Sequence, residues 1–179
     1  MKNYFLGIFP DIEVSKKIAK SAIEIRKIFA SQGINVKWVE PEKYHLSLLF
    51  IGHEISFFRK LLIKNRVSKY SFDPINIEIS GYKAGISNRY RELIFLTVGQ
   101  GADQLRELVT DLSKKTGVKR DQVFIPHITL GRVGKDLTDQ EYSNILTEVK
   151  EITIPDPIIW QAQTINFVVS DLDKYSLIV

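Results

Sequence analysis

Two short segments of this chain repeat one another: Tyr44-His45-Leu46-Ser47-Leu48 and Pro126-His127-Ile128-Thr129-Leu130. Each reads as an apolar strand in which a histidine is followed two residues later by a hydroxyl. Residues i and i+2 of a strand project from one face. His45 and Ser47 therefore share a face, as do His127 and Thr129, while Leu46, Leu48, Ile128 and Leu130 are left to pack on a core. A chain with two such strands needs a sheet buried on one side and open on the other.

The flanking sequence follows the same grammar in both halves. Tyr4 to Phe9 is a short apolar strand closed by Pro10, with Asp11 placed to cap the next helix. Val14, Ile18, Ala22, Ile25 and Phe29 give that helix one apolar face, and it ends near Gly33. Val36 to Val39 is a strand stopped by Pro41, His45 to Ile51 a central strand bounded by Gly52, and Ser56 to Val67 a second helix. In the second half, Ile75, Ile77 and Ile79 alternate with polar residues as in a strand with one wet face, and Leu93 to Val98 is a further strand. Leu105, Leu108, Val109 and Leu112 mark a helix ending at Gly117. Phe124 to Val133 is a central strand, Thr138 to Lys150 a helix opened by a capping box of Thr138 and Glu141, and Ile158 to Val169 and Tyr175 to Ile178 are closing strands. No linker divides the chain. The pattern suggests two similar lobes within one domain spanning residues 1–179, each lobe supplying one histidine strand.

Composition narrows the chemistry. The 179 residues are 44% hydrophobic, enough for a buried core without staples. Cysteine is absent, which removes disulfides, thiolate nucleophiles and cysteine metal sites and fits a reducing cytosol. No targeting segment or membrane-length apolar run is visible, so the reading is a cytoplasmic protein with no membrane partner. The net charge of +4 favours an anionic partner without specifying one. With three histidines and no cysteine, neither a metal site nor a cofactor is expected.

Imidazole titrates near neutrality, so a pair of them can move protons at physiological pH. Splitting a phosphodiester needs a base for the incoming oxygen and an acid for the departing one, while hydroxyls can hold the non-bridging oxygens. His45 and His127 suit the proton transfers, and Ser47 and Thr129 suit the phosphate. Each proton-transfer group is worth about 10²–10⁴-fold. The two histidine roles are interchangeable at this level.

Other residues take structural readings. His53 lacks a hydroxyl two positions on and reads as a surface residue. Lys83, Arg89 and Arg91, interleaved with Tyr82 and Tyr90, read as a solvated hairpin loop before an RNA contact. Trp38 and Phe5 read as core, and Asp171 and Asp173 as turn residues without metal-ligand spacing.

At its histidine motifs the chain resembles the two-histidine phosphoesterase superfamily, and most closely the bacterial and archaeal RNA 2′,3′-cyclic phosphodiesterases, also called 2′-5′ RNA ligases. Tyr4-Phe5-Leu6-Gly7-Ile8, Val36-Lys37-Trp38-Val39, His45-Leu46-Ser47 with Phe50-Ile51-Gly52, Phe124 through Arg132, and Val168-Val169-Ser170 with Tyr175 carry the resemblance. It implies a bilobal α+β fold with a histidine strand from each lobe lining a central groove, with no cofactor and no metal. One histidine would activate water while the other protonates the leaving O3′ of a 2′,3′-cyclic phosphate on RNA or a nucleotide, giving a 2′-phosphate. The arginine five residues after the second histidine, here Arg132, would hold the phosphate. By strand parity Arg132 points away from His127, so it reaches the groove only if the strand bends near Gly131. Ser47 stands where relatives more often carry threonine, and Tyr82 to Arg91 matches only loosely. Two alternatives remain beside hydrolysis by a monomer: 2′-5′ RNA ligation at the same site, and a non-catalytic RNA- or nucleotide-binding module.

Overall fold

The computed structural model of the chain describes residues 1–85, 91–119, 123–134, 137–154, 156–171 and 174–179. Among these residues, nine strands and four α-helices follow in the order β1 (Asn3–Ile8), α1 (Ile12–Ser31), β2 (Val36–Trp38), β3 (Leu46–His53), α2 (Phe57–Ser68), β4 (Ile75–Ala84), β5 (Leu93–Val98), α3 (Ala102–Thr116), β6 (His127–Val133), α4 (Asp139–Glu151), β7 (Ile159–Ala162), β8 (Asn166–Asp171) and β9 (Lys174–Leu177). The expected α+β fold is what forms.

Local chemistry explains the helix ends. Asp11 caps α1 by accepting the Val14 N–H at 2.8 Å. Thr138 and Glu141 close the anticipated capping box on α4. Gly117 ends α3 in the left-handed conformation, where its N–H reaches the Ser113 carbonyl.

The strands lie in the order β7-β4-β5-β6-β3-β1-β8-β9, with β2 paired to the far end of β6. This order is nearly palindromic about β6 and β3, the two histidine strands. They meet through one antiparallel bridge, Leu46 to Ile128, the central residue of each motif. A pseudo-twofold axis therefore passes between those two residues. The lobes are also laced together, since β4 follows the first half yet pairs with β5, and β8 follows the second half yet pairs with β1. Tyr82 of β4 sends its hydroxyl to the Ser21 carbonyl of α1.

The symmetry extends to detail. Ser56 caps α2 as Thr138 caps α4, and the buried pair Ile63 and Val67 corresponds to Ile145 and Val149. Each residue of the second set follows its counterpart at the same chain offset that separates His127 from His45. The core is built from the apolar faces of α1 and α3 against Leu6, Ile8, Leu46, Leu96, Ile128 and Leu130.

Some boundaries differ from expectation. Ile158 to Val169 is two strands, β7 and β8, because the first pairs with β4 and the second with β1, toward opposite ends of the sheet. Tyr82 and Lys83 belong to β4, with Tyr82 buried in the core, so the basic-aromatic loop loses two of its five members. Arg91 lies over the Tyr142 ring at 4.9 Å and pairs with Asp139. Arg89, Tyr90 and Asp173 lie outside the described residues.

Candidate active site

The open face of the β3–β6 seam carries a groove of about 300 Å³ lined by His45, Ser47, Thr129 and Arg132, together with Asn3, Phe5, Val39, Phe50, His53, Ser170 and Tyr175. His127 sits two residues before Thr129 on the same face, and its imidazole is near enough to depress the basicity of His45. All five residues singled out from the sequence are thus gathered at one place. An antiparallel pair centred on Leu46 and Ile128 sets His45 across from Thr129 and His127 across from Ser47.

Arg132 reaches this groove because the strand is bulged. Ile94 pairs with Gly131 and Phe95 with Thr129, which leaves Leu130 as an extra residue in β6. The Leu130 carbonyl instead accepts the Val39 N–H at 2.8 Å. One extra residue reverses the alternation, so Arg132 joins His127 and Thr129 on the open face while Leu130 and Gly131 stay buried. The first half has the matching irregularity. Leu6 pairs with Leu49 and Gly7 with Ser47, so Leu48 is extra and Phe50 takes the position that corresponds to Arg132. A second register shift leaves Ile51 extra and turns His53 to the same face.

His53 is therefore a surface residue, as its sequence setting suggested, and one that also lines the groove. It is exposed, its Nδ1 lies 2.5 Å from Asn3 Oδ1, and its ring meets Phe50 at 4.9 Å. No sequence signal marked it, because its orientation depends on two bulges upstream. Trp38 packs as expected against Phe29, under the Arg26 guanidinium. Phe5 is buried, yet it also forms part of the groove wall.

Both catalytic candidates are held in the same way. His45 Nδ1 is 2.8 Å from the Lys43 carbonyl, and His127 Nδ1 is 2.7 Å from the Ile125 carbonyl. A carbonyl only accepts, so each ring carries its proton on Nδ1 and keeps Nε2 for the groove. His45 Nε2 accepts from the Ser47 hydroxyl at 2.9 Å. Burial lowers both imidazoles below the ordinary value of 6.5, opposed in each case by the backbone carbonyl. The neighbouring cation Arg132 lowers His127 further.

The walls are unequal. His45 is boxed by Phe5 at 4.9 Å, Phe9 stacked at 5.2 Å, and Tyr175 edge-on at 5.4 Å. His127 has Phe95 at 5.1 Å. Among the described residues, no three His, Cys, Asp or Glu side chains come together as a group able to hold a metal ion.

Two lobes related by a pseudo-dyad, each sending a histidine strand to a shared groove, define the bilobal fold of the two-histidine phosphoesterases. Comparison with solved structures gives the same result: E. coli LigT complexed with 3′-AMP superposes with a TM-score of 0.71 over 99% of this chain and 95% of that one, at 19% identity. A protein of Thermus thermophilus superposes at 0.68 over the same shares, at 20% identity. The family described as LigT like Phosphoesterase matches residues 96–173. The RNA 2′,3′-cyclic phosphodiesterase of Archaeoglobus fulgidus is 30% identical over 130 residues, which cover 72% of this chain and 73% of that protein. The protein of the same name from Aquifex aeolicus is 31% identical over 136 residues, 72% of this chain and 69% of that one. The chain belongs to the LigT-like phosphoesterase family, among the relatives named RNA 2′,3′-cyclic phosphodiesterase.

Proposed function

We propose that this chain, acting as one catalytic unit, opens 2′,3′-cyclic phosphate ends of RNA or nucleotides to 2′-phosphates by metal-independent acid–base catalysis with His45 and His127. The observation that supports this reading is the matched carbonyl clamp, which holds the proton of each ring on Nδ1 and leaves each Nε2 as an acceptor, that of His45 facing the Ser47 hydroxyl. One Nε2 takes a proton from water as its oxygen attacks phosphorus. The P–O3′ bond breaks, and the other ring, protonated at Nε2, returns a proton to O3′. Ser47, Thr129 and Arg132 hold the non-bridging oxygens as charge gathers on them, the guanidinium by two parallel N–H donors.

The test is turnover of an oligoribonucleotide with a 2′,3′-cyclic end. His45→Ala and His127→Ala should each lower kcat by about 10²–10⁴-fold, and excess EDTA should leave the wild type unchanged. Full activity in either variant, or complete loss with EDTA, refutes the proposal. The same site run backwards, with a ribose hydroxyl in place of water, is a 2′-5′ ligase, and assaying both directions on one RNA separates the two. The remaining expectations attached to this reading are a monomer working in the cytoplasm.

A further inference from the structure

Helix α2 carries a surface that the fold itself does not require. Phe57, Phe58, Leu61 and Leu62 are 72%, 81%, 54% and 46% exposed. At 3.6 residues per turn they spread over roughly 140° of the helix, centred nearly opposite the buried Ile63 and Val67. The pseudo-symmetric helix α4 serves as an internal control. It buries the same pair, Ile145 and Val149, but its residues corresponding to the exposed four are Asp139, Gln140, Ser143 and Asn144. The fold is satisfied by a polar outer face, and α2 has exchanged that face for an apolar stripe.

Charge separates the two helices in the same sense. Between Phe57 and Lys69 there are five cations, Arg59, Lys60, Lys64, Arg66 and Lys69, and no carboxylate. On α4 the positions of Arg59, Arg66 and Lys69 are taken by Glu141, Glu148 and Glu151. Arg59 and Lys60 follow the two phenylalanines directly, so cations border the stripe along its length. Arg59 and Arg66 reach backbone carbonyls of Ile51 and Thr116, and no ion pair engages Lys60, Lys64 or Lys69 among the described residues. An apolar stripe bordered by cations on one short helix matches an interface that is apolar within and anionic at its edge.

Position identifies which such interface. Asn3 and Phe5 of β1 line the catalytic groove, whereas Lys2 and Tyr4, on the opposite face of that strand, line a separate pocket together with Lys60 of α2. The helix therefore lies behind the sheet, and its stripe points away from the groove. A nucleic acid held by the groove residues would meet the opposite face of β1 from the one that adjoins Lys60. The stripe is also convex, offering no trough for a peptide, and four side chains fall well short of the about 800 Å² per partner of a stable protein interface. We infer that α2 docks this protein peripherally on an anionic phospholipid surface, apolar residues in the headgroup–acyl boundary and lysines at the phosphates, with the groove left facing solvent. The mode is distinct from membrane spanning, for which no helix among the described residues is long and apolar enough. It stands whether or not the groove hydrolyses cyclic phosphates.

The test is co-flotation of the full chain with unilamellar vesicles of phosphatidylcholine alone or with about 30 mol% phosphatidylglycerol. The wild type should float with the anionic vesicles, less with neutral ones, and less as salt rises. The variant carrying the α4 residues (Phe57→Asp, Phe58→Gln, Leu61→Ser, Leu62→Asn) should lose at least about tenfold in partition while keeping its melting temperature and its turnover of a cyclic nucleotide. Replacing Lys60, Lys64 and Lys69 by glutamine should remove the preference for anionic lipid. Absence of wild-type flotation, or equal flotation of the four-residue variant, overturns the inference. So does a stripe-dependent dimer or stripe-dependent binding of single-stranded RNA in protein that ignores vesicles.

Discussion

Replacing Gly7 by alanine probes the packing beneath His45. A Cβ at this position would lie 3.0 Å from the Leu46 carbonyl oxygen, 3.2 Å from Phe5 Cε2 and 3.5 Å from His45 Cδ2. The Leu46 carbonyl is fixed by pairing of β3 with both β1 and β6, so it has little freedom to retreat. Relief must come from a shift of β1 by a few tenths of an ångström and from movement of the Phe5 and His45 rings. Overpacking of this kind costs about 1–3 kcal/mol, offset by the roughly 0.5–1 kcal/mol that alanine gains over glycine inside a strand. The middle of both ranges leaves a net loss of about 1 kcal/mol, which corresponds to a fall in Tm of roughly 2–4 °C for a chain of this size. Because a 1 Å misplacement of a reacting group costs on the order of 10²-fold, the smaller shift here should lower kcat for a cyclic nucleotide roughly fivefold to tenfold. Gly81→Ala is the control, since a Cβ there meets nothing within 4 Å. Thermal melts and initial rates on both variants decide the matter. If Gly7→Ala behaves like Gly81→Ala in both measurements, the claim that Gly7 seats the His45 ring is wrong.

Other expectations follow from the same geometry. Arg132→Lys keeps the charge but loses the planar fork that meets the charge gathering on the phosphate, so kcat and kcat/KM for a cyclic phosphate should both fall about tenfold, and steady-state kinetics showing a change in KM alone would contradict this. Both imidazoles sit below 6.5, so the profile of kcat/KM against pH should be bell-shaped with its maximum on the acid side of that value. A rate still rising through about pH 8 contradicts this. The same depression ties stability to pH: the folded state prefers neutral rings, so their contribution is intact above about 6.5 and is lost as pH falls through the lower folded values. Tm should decline on acidification through that range in the wild type, and less in His45→Ala. Thr138→Ala removes one half of the α4 capping box and should cost about 1 kcal/mol, read by thermal denaturation.

Much of this molecule could be read from its residues. Period-two and period-3.6 patterns placed the strands and helices, and the paired motifs announced that His45 and His127 belong together. What escaped notice has one physical source. Strand parity assumes regular pairing, and the extra residues Leu48, Ile51 and Leu130 are ordinary aliphatics that give no hint of a bulge. Counting alone therefore turned Arg132 away from the groove and gave His53 no place in it. The division of Ile158 to Val169 into two strands escaped for a related reason, since it depends on which distant edge each piece finds. The stripe on α2 was written openly in Phe57, Phe58, Leu61 and Leu62, yet its apolar residues fit a helix reading and gained meaning only when the other side proved to be the buried one.

A cleft made of two interchangeable halves has no sense of direction, and a ligand could enter it either way round. Here the backbone repeats but the side chains at one matched position do not: Phe50 stands in one half where Arg132 stands in the other. A guest with a flat ring at one end and an anion at the other, turned end for end, finds a benzene where it needs a guanidinium. That mismatch, added to the aromatic box around one histidine, lets a doubled scaffold tell left from right.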